Sequence, residues 1–141
     1  MSTRVRVVAG ILKNANGDIL IADRRQSRSM QDHWEFPGGK LDKGESPEQA
    51  LSRELAEELG IQIASVCHFQ HIEHDYDDLQ VAIDFYLVDA WQGAPRGMEG
   101  QQLRWVALSA LDRAMLLPAD SPVIEALQAA GSAPGGSTVS K

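Results

Sequence analysis

Val5, Val7, Ala9 and Ile11 alternate along the first stretch of the chain, the period of two that marks a strand, although Val8 and Leu12 make both faces partly apolar. Asn14-Ala15-Asn16-Gly17-Asp18 is turn chemistry, and Ile19-Leu20-Ile21-Ala22 returns as a second strand. A polar loop over roughly residues 25–32 leads to the short apolar stretch Trp34-Glu35-Phe36, where Pro37-Gly38-Gly39 is expected to stop any regular element. The period then changes. Leu51, Leu55 and Leu59 recur every four residues, the buried stripe of a helix. Ser46 fits its N-cap, Pro47 its first position, Gln49 the partner in a capping box, and Gly60 the C′ terminator. Strands are expected at about 64–73 and 79–90, turning through Asp75-Tyr76-Asp77-Asp78; Leu79, Val81, Ile83, Phe85 and Leu87 keep clean alternation. Another strand is read at Leu103–Leu108, a short helix near 109–116 and a last helix from Pro122 to Ala130. Strands, helix, strands, helix give an α+β class with a helix covering the sheet.

At 141 residues this is one expected domain, 1–130, followed by a Gly/Ser/Pro-rich tail, 131–141, read as disordered. Net charge of −7 argues against a surface that grips nucleic acid polymer by neutralising phosphates. No apolar run approaches a membrane span and the N-terminus has no long apolar segment, so a cytoplasmic, membrane-free protein is expected. Cys67 has no second cysteine to pair with and reads as a small buried hydrophobe on a strand. The acidic residues gather in 42–58 and 73–78, as a protein that handles phosphates through bound cations needs.

Within the first of these segments, Glu54, Glu57 and Glu58 fall at i, i+3 and i+4 and share one helical arc beside the leucine stripe. Like charges at that spacing repel by a few tenths of a kcal/mol per pair, roughly. Either the face is merely solvated, or hard carboxylate oxygens hold a divalent cation such as Mg²⁺ or Mn²⁺.

Gly39, five residues, Glu45, seven residues, then Arg53-Glu54-Leu55-Ala56-Glu57-Glu58-Leu59-Gly60-Ile61 fill every fixed position of a 23-residue pattern. The chain therefore resembles the Nudix family, and Glu35-Phe36-Pro37-Gly38-Gly39-Lys40, Glu99-Gly100-Gln101 and Pro118-Ala119-Asp120-Ser121-Pro122 resemble its MutT branch, over about residues 4–130. The resemblance implies an α/β/α sandwich, with a mixed β-sheet between helices, and Mg²⁺-dependent substitution by water at phosphorus (Mn²⁺ being a possible substitute). In MutT-like members water attacks the β-phosphorus of a nucleoside triphosphate and releases pyrophosphate. It further implies that Glu57, Glu58 and the Gly38 carbonyl ligate metal, that Glu54 is a ligand or the general base, and that Glu99 contributes to the metal site or acts as base. A Glu45–Arg53 pair is expected to lock loop to helix, and Gly38 and Gly39 to give the backbone freedom that turns a carbonyl to the metal.

The same resemblance assigns the substrate pocket. Lys40 matches a phosphate-contacting lysine and Arg24 a nucleotide contact, Glu35 and Phe36 line the base, and Ser29 falls nearby. Val5, Val7, Ile83 and Tyr76 are candidate apolar walls, with core packing the competing role. Asp120 departs from the asparagine that MutT enzymes carry at this point of the resemblance. An ionised Asp only accepts, so it can hold the ring N–H and amino group of guanine, or the amino group of cytosine, but cannot donate to a carbonyl. Nudix relatives active on cytosine nucleotides share Pro-Ala-Asp at this point. The alternative is a helix-capping role, for which Ser121 before Pro122 is the better N-cap. The leading expectation is an 8-oxo-dGTP diphosphatase that sanitises the nucleotide pool, a monomer or weak dimer acting on a small-molecule nucleotide. A (d)CTP or 5-modified cytosine nucleotide pyrophosphatase is the first alternative; dinucleoside polyphosphates, and a catalytically dead ligand-sensing module, come after it.

Overall fold

The computed structural model describes residues 4–23, 33–77, 79–113 and 116–132. Its strands are β1 (Val5–Leu12), β2 (Ile19–Asp23), β3 (Trp34–Glu35), β4 (Gly38–Lys40), β5 (Gln62–Tyr76), β6 (Leu79–Gln92) and β7 (Leu103–Val106). The α-helices are α1 (Pro47–Leu59) and α2 (Ser121–Ser132), and short 3₁₀ turns span Leu108–Arg113 and Pro118–Asp120. The strands form two sheets. One is mixed, in the order β4-β1-β6-β5 with β1 and β6 parallel; the other is β3-β2-β7.

The partly apolar character of both faces of β1 has a structural reason. Val8 and Leu12 pack with Leu51, Leu55 and Leu59 of α1, whereas Ala9 and Ile11 face Ile19, Ile21, Phe85 and the α2 residues Val123, Ile124 and Leu127. Leu20 of β2 joins the α1 side while Ile19 and Ile21 join the α2 side, so both sheets lie between the two helices. Full burial of each such aliphatic side chain contributes about 1.5–3 kcal/mol, so the four-residue leucine spacing fixes where α1 sits. Its start is fixed too: the Ser46 side chain accepts from the Gln49 N–H while the Gln49 side chain accepts from the Ser46 N–H, at 3.2 and 2.9 Å. Gly60, at φ 71°, ends the helix in the left-handed region.

Several expectations need correction. Pro37-Gly38-Gly39 does not end regular structure, because Gly38–Lys40 pairs with β1 as β4. Neither glycine has a positive φ; what they supply is space. A Cβ on Gly38 would run into the Val8 carbonyl, and one on Gly39 into the Glu54 carboxyl. Cys67 is exposed, not buried: β5 is the sheet's edge strand, and register shifts on either side of Cys67 break the alternation that would have turned it inward. The strands expected at 64–73 and 79–90 run longer, as Gln62–Tyr76 and Leu79–Gln92, with Tyr76 paired to Leu79. The short helix near 109–116 is a 3₁₀ turn. Ser121 is the first residue of α2 with helical φ and ψ, continuing from the 3₁₀ turn, and is not a conventional N-cap. Helix α2 extends to Ser132, two residues into the segment read as tail; residues 133–141 lie outside those described.

Candidate active site

Helix α1 carries the acidic arc. Glu57 and Glu58 stand in its last turn, which holds no basic residue. The partial negative charge of a helix C-terminus disfavours carboxylates there by about 0.3–1 kcal/mol each. A local choice that opposes the fold's own electrostatics is a mark of function.

The three glutamates are not equivalent. Glu54 is largely covered, its side chain 16% exposed, whereas that of Glu57 is 55% exposed. Glu54 lies against Gly39 and shares a hydrogen bond with Glu58. Burial raises the Glu54 pKa above its ordinary value, opposed by the hydrogen bond from Arg53. Burial, together with the charges of Glu54, Glu35 and Glu99, pushes Glu58 up to about 9. Three carboxylates, from β3, α1 and the loop before β7, thus act on that of Glu58. Among the described residues, no three acidic or imidazole side chains converge at metal-binding distance, Glu57 being turned toward Arg53.

Arg53 organises the approach to this cluster. Its Nε and Nη2 donate to the two carboxylate oxygens of Glu45 at 2.7 and 2.9 Å, Nη2 also donates to the Lys40 carbonyl at 3.0 Å, and Nη1 reaches Glu54 at 3.2 Å and Glu57 at 3.4 Å. The guanidinium plane supplies the fork that a two-point carboxylate contact requires. The Arg53 hydrogen bond holds the Glu45 carboxyl down at about 2. One side chain thus joins α1, β4 and the connecting loop.

Glu99 is exposed and arrives by another route. The loop bearing it is fastened to the orphan carbonyls at the end of α1. Arg96 N–H donates to the Leu59 carbonyl at 2.9 Å, and Met98 N–H to that of Glu58 at 3.0 Å. The Gln101 side chain also donates to the Glu58 carbonyl, at 3.0 Å, and accepts from the Glu99 N–H at 2.9 Å.

A cleft of about 820 Å³ adjoins the acidic cluster. Glu35, Phe36, Gly38, Gly39 and Lys40 line its near side, and Val5, Val7, Val81, Ile83 and Phe85 its apolar floor. His74, Tyr76, Leu117 and Asp120 line it as well. Such a volume suits a small organic ligand, for which about 300–1,000 Å³ is usual. Phe36 and Phe85 meet edge to face at 5.9 Å. Asp120 is 4% exposed. The turn that carries it is fastened to β5, where the Tyr76 hydroxyl accepts from the Ala119 N–H at 3.2 Å.

The structure therefore gathers Glu35, Phe36, Gly38, Gly39, Lys40, Tyr76 and Asp120 around one cleft and sets Glu54, Glu58 and Glu99 near its end. Arg24 and Ser29 lie outside the described residues. Sequence reasoning missed His74, whose ring lies 4.5 Å from that of Tyr76; two residues before Tyr76 on a strand, it had to share that side chain's face.

A model of the NUDIX domain matches residues 3–127. An 8-oxo-dGTP diphosphatase of Escherichia coli (strain K12) is 39% identical over 125 residues, 89% of this chain and 97% of that protein. A CTP pyrophosphohydrolase of the same organism is 34% identical over 125 residues, 89% and 92% of the two chains. Among solved structures, MutT from a study of Aliivibrio salmonicida and Vibrio cholerae is 41% identical with a TM-score of 0.76, covering 89% of this chain and 97% of its own. With the acidic helix, its arginine brace and the adjoining cleft in place, this match over nearly the full length makes the chain a hydrolase of the Nudix family.

Proposed function

We propose that the protein is an 8-oxo-dGTP diphosphatase, converting a free oxidised purine nucleoside triphosphate to the monophosphate and pyrophosphate. The observation that carries this reading is the continuity of the site: one apolar cleft holds Asp120 and reaches Gly39, against which Glu54 rests. A base bound in the cleft thereby leaves its phosphates beside the carboxylates. The relatives named for this activity match across almost their whole length.

Nudix hydrolases generally need a divalent metal, and the donor set here suits one. Glu54, Glu57, Glu58, Glu99 and the Gly38 carbonyl are hard oxygen donors of the kind that Mg²⁺ takes, with Mn²⁺ an acceptable substitute, and would hold the cation once Glu57 leaves Arg53. Bound there, the cation supplies charge stabilisation at the phosphates and makes water a better nucleophile. The residues do the remainder. Lys40 faces the cleft to meet phosphate, Arg53 holds Glu54 in place, and Glu54 or Glu99 takes the proton that the attacking water loses. Hydrolysis in ¹⁸O-water tests this reading. Attack at the β-phosphorus carries the label into pyrophosphate; label in the monophosphate contradicts that step. Glu57→Gln is expected to abolish turnover with the fold intact, and full activity in that variant would refute the metal assignment.

Asp120 favours a second reading. It accepts from an amino group, and cytosine offers one; the CTP pyrophosphohydrolase relative matches the same 89% of the chain as the Escherichia coli 8-oxo-dGTP diphosphatase, at lower identity. On that reading the chemistry is unchanged and the substrate is a cytosine nucleotide.

A further inference from the structure

Gln101 stands outside the acidic cluster, yet its side-chain amide touches the backbones of two of the cluster's members. Its NH₂ donates to the Glu58 carbonyl at 3.0 Å, and its oxygen accepts from the Glu99 N–H at 2.9 Å. We propose that Gln101 is the positioning residue that sets Glu99 against Glu58. The amide is planar and offers a donor and an acceptor from one carbon, so a single group spans helix end and loop. It does so without charge, whereas a carboxylate at this position would add to the negative charge around Glu58. The turn itself is built around Gln101. Gly100 takes φ 84°, its N–H donates to the Gly97 carbonyl at 3.2 Å, and a Cβ on Gly97 would strike the Gln101 carbonyl oxygen. Glu99 is exposed and comes from a loop; the amide fixes the backbone from which its carboxylate extends.

This inference rests on the acidic cluster being the metal-bearing catalytic site. Its test is a double-mutant cycle of Gln101→Met with Glu99→Gln, read by kcat and KM on the nucleoside triphosphate that the parent turns over fastest. Binding of Mn²⁺ alone, followed by titration calorimetry, is the second readout, and thermal melting is recorded for each variant. Removal of a group that orients a metal ligand weakens activity or metal binding by roughly 10–100-fold. Gln101→Met is expected to lower kcat by about 10-fold with KM within about twofold, to weaken Mn²⁺ binding, and to add less than about twofold once Glu99 is already glutamine. An equal loss in both backgrounds, or no loss in either, overturns the proposal. Should Met disturb the loop enough to lower the melting temperature, Gln101→Ala is read in the same cycle. The two failures are distinguishable. If the site reading is wrong, Glu57→Gln and Glu99→Gln keep turnover and Mn²⁺ affinity. If only the Gln101 assignment is wrong, those two variants remain impaired while the cycle shows no coupling.

Discussion

Arg53 grips Glu45 through contacts of 2.7 and 2.9 Å and so holds that carboxyl at about 2, against an ordinary value of 4.5. A depressed folded-state pKa gives stability that is fully present above the unfolded value and is lost as pH falls through the folded one. Glu45→Gln is therefore expected to melt below the parent near pH 7, with the difference shrinking as pH drops from about 4.5 toward 2. A difference that stays constant over that interval, in melting curves taken at stepped pH, contradicts the assignment. Much of the residue-level chemistry was legible because the acidic arc follows from helical spacing alone: Glu54, Glu57 and Glu58 must lie together whatever else the chain does. What spacing could not say is which of them is covered. Glu54 is, because β4 passes over it at Gly39. Gln101 and His74 escaped for a related reason, since their partners come from segments distant in sequence or from a strand face that only the pairing defines.

The elements repeat that lesson. Helix α1 was readable to its ends because its cap, stripe and terminator are local signals. Strand β4 was not, since a Pro-Gly-Gly run signals a break unless a neighbouring backbone comes close enough to demand glycine. Cys67 was misread for want of the register shifts that disturb the alternation of β5. Alanine variants of the two β4 glycines should differ in thermal stability, although Gly38 is also proposed to offer its carbonyl to the metal. In Gly38→Ala the new methyl meets fixed backbone at Val8 and should cost about 1–3 kcal/mol of stability. In Gly39→Ala it meets the movable end of Glu54, so melting should change little while kcat falls by at least about 10-fold. Thermal melting and steady-state rates on both variants decide it; the reverse pattern would show that Gly39 serves packing and not the site.

Across the whole molecule, alternation and helical period gave the α+β class, while the sandwich came from resemblance to the Nudix family. The division of the strands into two sheets came from neither, because β2 and β7 are paired across more than 80 residues of chain. The arrangement leaves a cleft bounded by β1, β6, the end of β5 and the Asp120 turn, with Glu54 of α1 resting against Gly39 at its edge. The base pocket was the least legible part, since its specificity turns on one departure, Asp120, whose carboxyl oxygens can accept from either an oxidised guanine or a cytosine. The decisive measurement is kcat/KM with Mg²⁺ for 8-oxo-dGTP, dGTP, dCTP and 5-methyl-dCTP, scored by pyrophosphate release. A preference for 8-oxo-dGTP of about 100-fold, which is about 2.7 kcal/mol of discrimination, is expected. A preference for the cytosine nucleotides would contradict it, leaving the Nudix chemistry intact and making Asp120 a reader of cytosine.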